Sequence, residues 1–155
     1  GEEWYFYPEK TVTRGEFLMM AMKMNHIETE LLAADDSGFA DSASFSPAEN
    51  KYIATAARLG LVVGIDTENG RCFCPDEVIT SVQASTIISR IAKLDGLALA
   101  DAVLASADAE AEISDEGMAM LSSVGLAVSE DRNAEITRAD AARLLYQLSL
   151  KTGGK

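Results

Sequence analysis

The chain has 155 residues, 48% of them hydrophobic and 25% charged, which suits one compact domain or a few small units sharing a core and is too apolar for a disordered tail. Thirteen Lys and Arg against 25 Asp and Glu give a formal net charge of −12, which leaves no broad basic surface for phosphate contacts and argues against nucleic acid as a partner. No apolar run approaches the roughly 20 residues that span a bilayer, so no membrane insertion is expected, and Gly1-Glu2-Glu3 lacks a signal-peptide pattern, which places any export signal outside the sequence.

The first predicted helix starts at Val12-Thr13-Arg14-Gly15-Glu16-Phe17. Thr13 serves as N-cap, Glu16 three residues on completes a capping box, and Val12 can staple onto Phe17. Counting on from Thr13 by four, seven, eight and eleven gives Phe17, Met20, Ala21 and Met24, an apolar helical stripe. Of the four methionines clustered here, Met20 and Met24 fit the stripe, while Met19 and Met22 could face a neighbouring element; core packing is the favoured reading. His26, the single histidine, follows this helix and reads as a solvated or helix-end residue, since no nucleophile partner is evident.

Phe39-Ala40-Asp41 opens the next unit. Ser46-Pro47 supplies a cap and first-turn pair, and Ile53 to Leu61 reads as a short amphipathic helix ended by Gly60 at the C′ position. Asn69-Gly70 predicts a tight turn between two short extended segments. Cys72 and Cys74 read as two thiols, because a bridge between them would close a very small, strained ring. With two cysteines and one histidine, a structural zinc, which needs about four N or S ligands, is excluded, and neither metal nor cofactor is expected. Asp66 to Glu77 begins and ends like a calcium loop, but Gly70 falls one place early for the required turn.

The second long helix starts at Ile79-Thr80-Ser81-Val82-Gln83-Ala84 and continues the stripe with Ile87, Ile88 and Ile91. Leu99-Ala100-Asp101 opens a further unit, Ser114 introduces a short helix over Met118 to Leu126, and Ile136-Thr137-Arg138-Ala139-Asp140-Ala141 starts a third long helix with Leu144, Leu145 and Leu148. Three identical registers predict three equivalent helices burying one face each against a common axis. The organisation is a single domain over 4–151: the second half of a repeat (4–28), a full repeat (39–96) and a full, divergent one (99–151), with 152–155 as a tail and Gly1 left outside the fold.

In order, Phe39-x-Asp41, Gly60-Leu61-Val62-Val63-Gly64, Phe73-Cys74-Pro75 and Ile79-Thr80 resemble the repeat of the S-layer homology family, and Thr13-Arg14-Gly15-Glu16 and Thr137-Arg138-Ala139-Asp140 resemble its most recognisable motif. Phe6-Tyr7-Pro8 looks like a further Phe-x-Pro. The resemblance covers nearly the whole chain. It implies an all-α, pseudo-threefold three-prong spindle with three long helices in a central bundle and shorter helices as prongs. It also implies noncovalent anchoring of a bacterial surface protein through anionic, often pyruvylated, secondary cell-wall polysaccharide, hence an extracellular, cell-surface location and no catalysis.

On that reading the ligand-binding residues are Arg14 and Arg138, oriented by Glu16 and Asp140, with Gly64 allowing close backbone approach. Nothing in helix-start physics requires Arg at the first helical position, where the macrodipole mildly disfavours a cation. A guanidinium gripping a carboxylate, helped by free backbone N–H groups at the same terminus, would give it a reason; an ion pair with a neighbouring acid is the other reading. Thr80-Ser81-Val82-Gln83 departs from the family in lacking the Arg, the usual helix aromatic is missing, and the third unit lacks the second Gly of its turn. The alternative function is therefore a degenerate copy acting as a structural or protein-docking module. No nucleophile elbow, Walker loop or dinucleotide fingerprint supports an enzyme. A half-repeat at one end predicts an exposed apolar flank, closed by a homodimer or by upstream chain.

Overall fold

A computed structural model describes residues 7–27, 37–94 and 131–151. The expected features at Trp4, Phe6, Leu99 to Asp101, Ser114 and the short helix over Met118 to Leu126 lie outside the described residues. Among the described residues the elements are α1 (Arg14–Met24), a 3-10 turn at Ser42–Ser44, α2 (Pro47–Arg58), β1 (Ile65–Thr67), β2 (Gly70–Cys72), α3 (Ser81–Leu94) and α4 (Arg138–Lys151). No helix among them is long and apolar enough to cross a membrane.

The helix starts form as their sequences dictate. Thr13 Oγ1 accepts from Glu16 N while Glu16 Oε1 accepts from Thr13 N, and the same exchange joins Thr80 to Gln83 and Thr137 to Asp140. In α2, Ser46 and Glu49 close a further capping box ahead of Pro47. Gly60, with φ +76°, ends that helix in the left-handed conformation, and Leu61 N reaches back to Ala56 O, as a glycine at C′ allows. At the end of α1 the same duty falls on His26, whose φ of 56° carries the chain round so that Ile27 N bonds Met22 O. The helix-end reading of His26 is correct.

The three helix starts meet in a closed ring of backbone hydrogen bonds. Val12 N donates to Ile136 O at 2.9 Å, Ile136 N to Ile79 O at 3.1 Å, and Ile79 N to Val12 O at 2.9 Å. Around it, the first two N–H groups of each helix are taken by the loop before the next motif: Arg14 and Gly15 by Glu77 and Pro75, Ser81 and Val82 by Ala134 and Arg132, Arg138 and Ala139 by Lys10 and Pro8. The staple residues Val12, Ile79 and Ile136 are fully buried at its centre, so their burial dries the ring and strengthens each bond in it.

Three expectations need correction. The fold is mixed α/β, not all-α, because β1 and β2 form an antiparallel pair, Ile65 opposite Cys72 and Thr67 opposite Gly70. Isolated bridges at Thr11–Thr137, Thr13–Val78 and Thr80–Glu135 add extended pairings between helix starts. Crossover backbone between helices must satisfy its own N–H and C=O groups, and here strand pairing does so. The hairpin turn is also displaced: Glu68-Asn69 make the bend, Thr67 Oγ1 accepts from Asn69 N and donates to Gly70 O, and Gly70 (φ +108°) follows it.

The third correction concerns α1. The stripes of α3 and α4 are buried throughout, as are Phe17 and Ala21, but Met20 is only part-buried and Met24 is 37% exposed. Leu18 and Met22, off the stripe, are fully buried instead. α1 packs on α2 as well as on α3 and α4, so it needs two apolar faces, and a single-stripe pattern describes only one of them.

Candidate functional site

Arg14 and Arg138 begin equivalent helices and end in different places. Arg14 is fully buried. Its Nε donates to Phe73 O at 2.9 Å, and its guanidinium carbon stands 4.8 Å from the centre of the Phe73 ring, a cation–π arrangement that replaces part of the lost hydration. Phe73 is held in turn by Asp41, whose Oδ1 accepts from Phe73 N and Oδ2 from Cys74 N, and by a tilted contact with Phe39. The Phe-x-Asp and Phe-x-Pro elements thus build a seat for Arg14.

Arg138 keeps 26% of its side chain exposed and pairs with Glu16 Oε2 at 3.4 Å. Asp140 spends one carboxylate oxygen on the cap of α4 and the other on Arg143. Of the five residues expected to bind a ligand, the structure therefore brings Arg138 and Glu16 together and holds Arg14 apart, inside the protein. The free N–H groups expected beside the arginines are occupied by loop carbonyls or by the capping threonines. Gly64 (φ +94°) has a packing duty too: a Cβ there would lie 2.5 Å from Phe39 Cε1 and 3.1 Å from Cys72 O, so the aromatic ring and the hairpin fill the space assigned to a ligand.

An open groove of about 510 Å³ lies beside this packed corner. It runs between the end of α2 and the hairpin, with Phe39, Ala57, Val62 and Val63 as apolar lining, Gly38 and Gly60 at positions that leave the backbone uncovered, and Arg71 at its edge. Arg71 pairs with Asp66 through two contacts, Nε to Oδ1 at 2.9 Å and a second nitrogen to Oδ2 at 3.3 Å. Both side chains are more than half exposed, and the hydrogen bond and charge of Arg71 hold the Asp66 carboxyl below the usual carboxylate range. Sequence reasoning passed over Arg71. Its only signal is its place opposite an acid across a predicted turn, where cross-strand neighbours meet.

Asp66 is committed to Arg71 within a hairpin and its segment forms no calcium-type loop; among the described residues no group of three His, Cys, Asp or Glu side chains gathers as a metal site. Cys72 and Cys74 are both free. Burial, with the charges of Glu77 and Asp41, pushes the Cys74 thiol up from its ordinary value, which makes it a poor nucleophile at neutral pH. Compared with protein-family models the chain matches none, and no curated protein matches it.

Proposed function

We propose that the chain is a non-catalytic anchoring module that holds an acidic cell-wall polysaccharide in the groove edged by Arg71. The observation that carries this reading is the groove's make-up. Apolar lining suits the C–H faces of sugar rings, uncovered glycine backbone lets a polymer lie close, and an exposed guanidinium offers paired hydrogen bonds to a carboxylate or ketal-pyruvate. The order of motifs resembling the S-layer homology repeat supports the same substrate class. The ligand contact thereby moves from the helix starts to the hairpin side, and Arg138 remains a second cation for the polymer to reach.

A rival reading, a structural or protein-docking module, draws on one specific observation: Arg14, the motif residue expected on the ligand, is fully buried. The deciding experiment is cosedimentation of the chain with Gram-positive sacculi before and after removal of the secondary polymer. Polymer-dependent binding that Arg71→Ala weakens by about tenfold, the loss of one bidentate contact, supports anchoring through the groove. Absence of binding to native-host sacculi leaves the docking module.

A further inference from the structure

Counting two, five and nine residues on from each capping threonine marks the same face on all three long helices. On α1 these are Gly15, Leu18 and Met22, all buried. This face meets α2: a Cβ on Gly15 would lie 3.5 Å from Glu49 Oε2, and Lys23 Nζ stands 5.6 Å from the centre of the Tyr52 ring. On α3 they are Val82, Ser85 and Ser89, again buried, at 1%, 2% and 1% exposure. On α4 they are Ala139, Ala142 and Tyr146, with Leu150 one turn further. Here Ala139 is exposed, Ala142 part-exposed, Tyr146 59% exposed and Leu150 62% exposed. Two copies of this face are covered and the third, though apolar along its length, is open.

We infer that the Ala139–Ala142–Tyr146–Leu150 face of α4 is a docking site for an amphipathic helix of the α2 type, one that begins with a Ser-Pro or similar cap and presents small aliphatic residues. The equivalence of the helix starts supplies the argument. The hydrogen-bond ring sets α1 and α4 in the same relation to their neighbours, so a helix lying as α2 lies on α1 meets Tyr146 where α2 meets Met22. On α2 the residues turned inward include Ile53, Ala54 and Ala56, a flat apolar surface that Ala139 and Ala142 would admit closely. Large apolar side chains paired at this helical spacing on an otherwise polar helix are the mark of a contact surface. The inference does not depend on which ligand the groove takes.

The test is a titration of the full chain with a synthetic peptide of residues 45–61, which carries α2 and its caps, followed through the ring resonances of Tyr146. Saturable one-to-one binding is expected, with Tyr146→Arg weakening it by about tenfold or more, as for a central contact residue, and Leu59→Arg in the full chain leaving it unchanged. Because a free peptide of this length is barely helical in water, a second arm fuses the same segment ahead of residue 1 through a Gly/Ser linker. The expected result is a rise in melting temperature that Tyr146→Arg removes. Three results would overturn the inference: no effect in either arm, binding indifferent to Tyr146→Arg, or self-association of the unfused chain that Tyr146→Arg dissolves, which would give the face to a second copy.

Discussion

Arg14 and Arg138 share a motif, a helix position and a backbone bonding pattern, yet one is sealed inside the protein and the other lies half-exposed against an acid. The difference begins three residues after the neighbouring cap. The start that receives the N–H groups of α4 belongs to α1 and carries Glu16, so Arg138 finds a carboxylate; the start beside Arg14 belongs to α3 and carries Gln83, which holds no charge. Arg14 turns instead to the Phe73 carbonyl and ring, on a loop shaped by Asp41. A repeated motif therefore determines how the backbone is used, while the side chain at its centre goes where its particular neighbours allow.

The sharpest way to break this comparison is to truncate each arginine. Arg14→Ala removes a buried charge-assisted hydrogen bond and the packing of its stem, and is expected to cost about 3 kcal/mol in urea unfolding. Asp41→Ala, which leaves Arg14 in place but releases the two N–H groups that orient Phe73, is expected to cost about 2 kcal/mol by the same measurement. Arg138→Ala breaks only a part-exposed pair and should cost less than about 1 kcal/mol; a cost equal to that of Arg14→Ala would erase the distinction. The smallest effect belongs to the exposed pair on the hairpin. Asp66 is lowered by Arg71, so its contribution is present above the ordinary carboxylate value and fades as the pH falls through the lowered one. A carbon-detected NMR titration should find the Asp66 midpoint below about 3.9, and Arg71→Ala should return it to that value.

Much of the fold is legible because helix termini obey local rules. The capping boxes at Thr13, Ser46 and Thr80, the glycine after α2 and the buried stripes of α3 and α4 all follow from short-range spacing. What sequence reasoning missed is non-local. The second buried face of α1, at Leu18 and Met22, exists only because α2 lies across it, and the hairpin turn slipped one residue because Thr67 makes a side-chain turn that the Asn-Gly pair conceals. For the site, the pattern pointed to cations at helix starts, where burial and backbone bonding were decisive and invisible. Arg71 escaped notice because an exposed arginine on a short hairpin has no periodicity to mark it.

The closed ring through Val12, Ile79 and Ile136 has a consequence for how the chain folds. Its three bonds join segments more than fifty residues apart, so none closes until distant parts of the chain have met, and the loop-closure entropy of those encounters must be met before the ring returns any stability. The helices capped beside it are individually short, and their starts find carbonyl partners only in the assembled ring. Formation of the described core is therefore expected to be concerted and slow for a chain this helical. In hydrogen exchange, the amides of Val12, Ile79 and Ile136 should release their protons together, on the timescale of global unfolding, while the ends of the same helices exchange through local fraying.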